Sequence, residues 1–457
     1  MNGKGTDMNH GHCTESHPVE TLSVCRAGRG VVAAGCLLAL LSSASSAAEP
    51  AALPPDLTLD RAVAESVRAN PELRSAVLKT AALKERPAQA RGLPNPMFKY
   101  GGMDAASGGN FPNTAEKRFM LEQSFPAFGK RGLGEQVAQQ EVVVAQREAD
   151  ARVRDVVLRV KETYFDLYGA QRSRALVRDE ETVLVRLEKV AETKYAAGEG
   201  AQPDVLKAQS EMALRRQRLV ELEADEAVLK EQLNTLMSRS PDAPLGRAVT
   251  TPAAADPAGA DALLALADKA RPEIQGAEAQ VARYEADRRL RSREYLPDYR
   301  LGIEYRDFAR DNDRLMFTVG LEIPLWRDQY RAGVAEAAAM TAAGTAALES
   351  VRRQVASDVA QARVRLLSAS RVLDSYRSSL IPQAETRYKA SEAAYRAGKV
   401  DFLDLLESER FWLDVRLMAA GAEANVGVQA ARLERAVGTD LAASPAAASG
   451  AGTEGKN

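Results

Sequence analysis

The sequence predicts a mainly α-helical chain that carries a minority of membrane-type β-strands and is built twice on one plan. Three observations lead there. Alanine is abundant and aromatic residues make up only 5% of the 457 residues, which suits long helices better than a sheet-dominated fold. Two stretches near residues 300 and 320 alternate apolar and polar residues with period two. Short sequences also recur about 200 residues apart.

The recurrences keep an almost constant offset. Pro71-Glu72 in "RANPELRSAVLKTAALK" returns as Pro272-Glu273 in "KARPEIQGAEAQVARYE", 201 residues later. Pro126 in "LEQSFPAFGKRG" returns as Pro324 in "VGLEIPLWRDQY", 198 residues later. Tyr195-x-x-Gly198 returns as Tyr395-x-x-Gly398, 200 residues later. Internal duplication follows, with repeats at 58–240 and 261–438 joined by a Pro- and Ala-rich linker at 241–260.

The first 48 residues read as a secretory signal with upstream residues. Arg26 and Arg29 precede the apolar run Val31 to Leu41, and small residues lead to a cleavage point near Ala48. The run is about 11 residues, short of the roughly 20 a spanning helix needs. Cys13, Cys25 and Cys36 and the histidines His10, His12 and His17 all precede that point. The processed chain then has no disulfide, no His or Cys metal site and no His- or Cys-based nucleophile. Lipidation of Cys36 is the alternative use of that cysteine.

Each repeat then reads in the same order. A helix starts near Leu59 or Asp261, with Asp60 and Asp261 as first-turn acids, and runs about 33 residues. The prolines of "GLPNP" and "YLPDY" stop it. Strands follow at about 96–104 and 117–125 in the first repeat, and at 298–308 and 314–324 in the second. Leu301, Ile303 and Tyr305 alternate with Gly302, Glu304 and Arg306, and the pattern slips at Asp307, where that strand is expected to weaken or end. Leu315, Phe317, Val319, Leu321 and Ile323 alternate against Met316, Thr318, Gly320 and Glu322.

A helix of some 65 residues comes next, from Arg131 to Tyr195 or Arg331 to Tyr395, about 100 Å long. Val137, Val144, Ala151, Leu158 and Phe165 mark a near-heptad stripe in the first, and Pro382 interrupts the second. The chain turns at the Tyr-x-x-Gly tip and returns through a helix of about 38 residues. One long helix thus matches two short ones laid end to end. Residues 439–457 are an Ala/Ser/Gly tail expected to be disordered.

Lys and Arg total 61 against 63 Asp and Glu, so nothing marks nucleic acid as a bulk partner. Neither a phosphate-binding glycine loop nor a catalytic constellation is present in the sequence, so the chain is expected not to be an enzyme and to need no cofactor. Four strands with alternating faces in an exported chain suggest an outer-membrane barrel, but four strands cannot close one. Copies of the chain must pool them. The turns "DAASGGNFPNTAEK" and "ARDNDR" then lie on the side opposite the helices.

The ordered motifs "LDRAVAESVRANPELRSA", "GLPNPMFKYGG", "LEQSFPAFGKRG", "YLPDYRLGIEYRD", "FTVGLEIPLW" and "YRAGKVDFLDLLESE" resemble the outer-membrane efflux protein family, the TolC-like channels, over nearly all of residues 58 to 438. The resemblance implies a homotrimer with a twelve-stranded β-barrel continued by a periplasmic α-helical barrel. It also implies outer-membrane lipid around the barrel, a periplasmic adaptor protein and an inner-membrane pump of the proton-driven RND type. "GLPNP" and "GKR" resemble the heavy-metal and cation efflux branch, with drug and solvent channels close to it. A type I protein-secretion duct and a pore-free periplasmic coiled-coil scaffold are the other readings.

The same resemblance places a pore constriction at the second tip, at Asp404 and Glu407, three residues apart on one helical face, with Asp401 as a further acid. Copies around an axis would turn these into acidic rings. The basic residue that some relatives use for closure would fall near Val400 and is absent, which puts an arginine clasp in doubt. In the first repeat Asp204 keeps one acid but Lys207 replaces the other. Gly198, Gly398, Tyr195 and Tyr395 are expected to form adaptor-docking tips, with helix C-capping as the simpler role of the glycines. Pro126 and Pro324 mark strand-to-helix transitions. Trp326 is read as an interfacial aromatic, with buried packing as its alternative.

Overall fold

The computed structural model describes residues 56–103, 116–252, 259–308 and 311–441. The expected signal segment with the cysteines and histidines, most of the first strand-connecting turn and the tail beyond 441 lie outside the described residues. In chain order, β1 (Asp56–Leu57) precedes α1 (Leu59–Ala69), α2 (Pro71–Leu83) and α3 (Arg86–Arg91). The strands β2 (Met97–Met103) and β3 (Glu116–Phe125) lead into α4 (Lys130–Ala196), which turns into α5 (Gln202–Leu236). After β4 (Arg247–Ala248) the plan repeats with α6 (Ala260–Ala270), α7 (Pro272–Arg293), β5 (Asp298–Phe308) and β6 (Arg314–Glu322). The second long rod is α8 (Arg327–Ser375), a π-helical turn at Tyr376–Leu380 and α9 (Ile381–Arg396), and α10 (Phe402–Val437) returns.

The expected 33-residue opening helix is corrected. It breaks at Asn70 in the first repeat and at Arg271 in the second, where ψ swings to 122° and 117°. A proline follows each, and its ring pushes the preceding residue out of the helical region. Pro71 and Pro272 then start the next helix, where a missing N–H costs nothing. Asn70 also caps that helix, its Oδ1 accepting from Glu72 N at 2.8 Å. Pro382 acts differently: it sits in the first turn of α9, and the wider π turn just before it lets the rod continue.

Within the segment between the repeats, Arg247–Ala248 pairs in parallel with Asp56–Leu57, tying that segment to the start of the first repeat. The buried hydroxyl of Tyr164, halfway along α4, holds both strands. It donates to Leu57 O at 2.7 Å and accepts from Val249 N and Thr250 N at 3.0 and 2.9 Å. Residues whose hydrogen bonds reach 85 and 107 positions away could not be found from local pattern.

The core runs along the rods as separate clusters. Leu57, Val156, Val160, Tyr164, Leu167 and Leu233 form one in the first repeat, and Leu263, Ile274, Val359, Leu366, Val426 and Leu433 form its counterpart in the second. In α4 the fully buried stripe is Val156, Val160, Tyr164, Leu167, whereas Val137, Val144, Ala151 and Leu158 are half-buried and only Phe165 of that heptad series is buried. α4 packs against α5, α7 and α10 at once, so its buried face is wider than a single coiled-coil seam. α4 and α10 come close at Gly427, where a Cβ would stand 2.6 Å from the Phe165 ring. Gly427→Ala is therefore expected to destabilise the chain by about 1–3 kcal/mol through overpacking. Adding Phe165→Leu should restore part of the loss in thermal unfolding; no restoration would show that the clash is not the cause.

Candidate functional site

The four remaining strands form one antiparallel sheet in the order β2-β3-β5-β6. Its register puts Tyr100, Phe119, Tyr305 and Leu315 in one cross-strand row, and Phe98, Leu121, Ile303 and Phe317 in the next. Leu301, Val319, Tyr299 and Leu321 extend the same face. Apart from half-buried Phe119 these side chains are exposed, Phe317 by 71% and Val319 by 74%, so the chain itself leaves a broad apolar face uncovered. The opposite face is charged. Lys99, Glu122, Arg300 and Glu322 form one row, and Glu116, Arg118, Arg306 and Glu304 another.

β5 does not end at Asp307. The residue stays on the apolar face and lies opposite Lys117, with the charges 3.9 Å apart, so a cross-strand ion pair closes that face at its outer end. Phe308 falls on the other face, beneath the Arg314 guanidinium.

The strand-to-helix transitions follow Pro126 and Pro324. In the first, Asp298 Oδ1 accepts from Ala127 N and from Lys130 Nζ, both at 2.7 Å. Gly129 adopts φ 91°, which turns the chain into α4. Arg131 donates from Nε to the Arg91 carbonyl at 2.7 Å, capping α3. Each residue of "GKR" thus has a structural task. Trp326 is 79% exposed, so it does not pack in the chain's own core. Phe128, 94% exposed, is its counterpart, and the sequence reading missed it. Each aromatic stands two residues after its proline, a signal the duplication already carried.

The helical tips form one unit. Gly198 and Gly398 have φ 75° and 70° and end α4 and α9 in the same way. Glu199 N reaches Lys194 O and Lys399 N reaches Ala394 O, both at 2.9 Å, while each glycine N–H bonds the tyrosine carbonyl three residues back. This is the Schellman arrangement, so C-capping is a role of both glycines. The tyrosines part company. Tyr195 is 49% exposed, but Tyr395 is buried against Phe402, and Lys194 lies over its ring and donates to its carbonyl at 2.7 Å. Leu184, Leu187, Ala208, Met212, Leu405 and Leu406 complete a core shared by the two hairpins.

Asp401 caps α10, its Oδ1 accepting from Asp404 N at 2.9 Å. Asp404 and Glu407 are exposed on the α10 face away from that core, next to Leu403. In the first repeat Lys207 sits 3.6 Å from Asp204 and offsets its charge. Among the described residues, no group of three or more His, Cys, Asp or Glu is placed to hold a metal ion, and no helix is long and apolar enough to cross a membrane.

Behind the tip core lies a buried acidic layer that sequence reasoning did not find. Glu180 on α4 and Glu409 on α10 are wholly buried, and neither carboxylate has a hydrogen-bond partner. Glu211 on α5 is paired with Arg410 and lies 3.7 Å from Arg215. Burial pushes the Glu180 carboxyl up to about 7, against the pull of Arg416, Arg215 and Arg186 and with a push from Asp179. The unfolded glutamate titrates near 4.5, so the folded tip holds this proton more tightly across that window. Its contribution to stability is full below about 4.5 and is lost as pH rises through about 7. Hydrogen exchange along Leu184 to Ala191 is expected to speed up from pH 5.5 to 8 beyond its intrinsic pH dependence. Glu180→Gln should flatten that excess, and an unaltered excess in the variant would contradict the assignment.

The sequence profile described as Outer membrane efflux protein matches the chain twice, at residues 63–239 and 263–439. The cobalt-zinc-cadmium resistance protein CzcC of Cupriavidus metallidurans is 23% identical over 395 residues, covering 84% of this chain and 90% of that protein. Among solved structures, CusC superposes with a TM-score of 0.72 at 19% identity, covering 83% of this chain and 92% of the other. The outer-membrane channel OprN gives 0.70 at 20% identity, covering 83% and 89%. VceC from Vibrio cholerae gives 0.70 at 16% identity, covering 83% and 96%. The duplicated helices, the four-stranded sheet and the double profile match agree, and the chain belongs to the outer membrane efflux protein family, whose members are TolC-like channels rather than enzymes.

Proposed function

We propose that three copies of this chain form the outer-membrane exit duct of a tripartite efflux system, passing small substrates handed over by a periplasmic adaptor and an inner-membrane pump. The observation that carries the reading is the two-faced sheet. Its exposed apolar face fits lipid, its charged face fits a watered lumen, and its two open edges need further strands. Three copies supply twelve strands, with Phe128 and Trp326 at the periplasmic border of the bilayer, where aromatic rings are favoured. The long helices continue the wall to the tips, and Gly198, Gly398 and the exposed Tyr195 dock the adaptor. Tyr395 serves instead as the pin between the two hairpins.

Asp404, Glu407 and, beside its capping task, Asp401 line the constriction in this reading. Their exposure on one chain leaves them free to face an axis, where three copies would make an acidic ring that favours cations. The likeness to a cobalt-zinc-cadmium resistance protein supports divalent metal cations as the cargo.

Planar-bilayer recording of the purified protein tests this. The wild type is expected to conduct with a preference for cations, and Asp404→Ala with Glu407→Ala should reduce that preference several-fold while conductance persists. Unaltered selectivity would remove these residues from the constriction. Absence of any conductance would remove the duct.

A further inference from the structure

The first charged row on the lumen side of the sheet has a pattern that runs to both edges. It carries one charge per strand with alternating sign: Lys99 on β2, Glu122 on β3, Arg300 on β5 and Glu322 on β6. Lys99 Nζ lies 2.8 Å from Glu122, and Arg300 lies 3.7 Å from Glu122 and 2.5 Å from Glu322. Each step is the same diagonal. Lys99 is opposite Met120, and Glu122 stands two residues nearer the helices. Glu122 is opposite Gly302, and Arg300 stands two nearer. Arg300 is opposite Gly320, and Glu322 stands two nearer.

Gly302 and Gly320 lie opposite Glu122 and Arg300, and Met120 stands in that place opposite Lys99. Gly101 stands in the same relation to Lys99, two residues toward the outer end, and an added Cβ there would meet nothing within 4 Å. The side chains of Lys99 and Glu322 at the two edges are 50% and 61% exposed, which leaves both open to a partner strand. The row begins with a cation and ends with an anion, so repeating the chain continues the alternation without a like-charge contact.

From this we propose one register for the junction between neighbouring copies. Glu322 of one copy lies opposite Gly101 of the next and pairs with its Lys99. This rests on the barrel reading above and deepens it. In a trimer the row closes into a ring of alternating charge, four from each copy. Such a ring is neutral as a whole, so the barrel does not discriminate by sign and selectivity is left to the tip. Opposite charges facing across the junction favour this pairing over one that brings like charges together.

Cysteine cross-linking of the exported full-length protein in outer-membrane vesicles tests the register. The three native cysteines at 13, 25 and 36 are first replaced by serine. Lys99→Cys with Glu322→Cys, treated with a short bifunctional methanethiosulfonate, is expected to give covalent dimers and trimers on denaturing gels. Each single variant should stay monomeric on the gel. Lys99→Cys with Thr318→Cys, shifted by four residues or about 13 Å, should cross-link at least ten-fold less. Preferential linkage through Thr318 would overturn the register while leaving the barrel intact. An oligomer in detergent with no linkage in either pair would overturn the β2–β6 junction. A monomer in detergent with no linkage would remove the barrel reading itself.

Discussion

The backbone N–H and C=O groups along the outer edges of β2 and β6 are the constraint on which the rest of the structure depends. Their sheet has an exposed apolar face, with Phe317, Val319 and Leu321 among its members, and so fits hydrocarbon. In hydrocarbon an unpaired backbone group costs several kcal/mol, and no water can repair it. One chain offers four strands in that sheet, too few to curl onto themselves. In the proposed duct, neighbouring copies supply the missing strands and their helices stand side by side. Long rods paired with two shorter helices suit such an arrangement.

The junction between strand and rod carries the change of structure type. Asp298 holds the start of α4 through Ala127 N and Lys130, and Gly129 supplies the left-handed turn. The exposed aromatics Phe128 and Trp326 stand at that level in both repeats. At the far end the two Schellman turns are alike, but the side chains around them are not. Tyr395 and Phe402 fill the shared core, while Tyr195 is out in solvent and Lys207 sits beside Asp204. The two hairpins share one backbone turn but differ in the side chains around it.

Much of the fold was legible because it rests on periodic pattern. The alternation in β5 and β6, the prolines ending each helical run and the Tyr-x-x-Gly turns all report local backbone demands. The sequence was less informative where a residue's partner is remote. Tyr164 stitching β1 and β4, the Lys117–Asp307 pair that carries β5 past its apparent slip, and the buried carboxylates of Glu180 and Glu409 depend on three-dimensional neighbours. The opening helix was read as continuous because Asn70-Pro71 and Arg271-Pro272 allow a break without requiring a change of apolar pattern. At the tip, Asp401 looked like one more pore acid, yet its capping bond to Asp404 N is a short-range task that "VDFLD" could have revealed.

The central claim is that copies of this chain close each other's sheets, and native mass spectrometry of the protein released from detergent micelles tests it most directly. The account predicts a single species of three chains that persists until the micelle is stripped at high collision energy. A stable monomer retaining its strand content would contradict it, because the open edges would then need no partner.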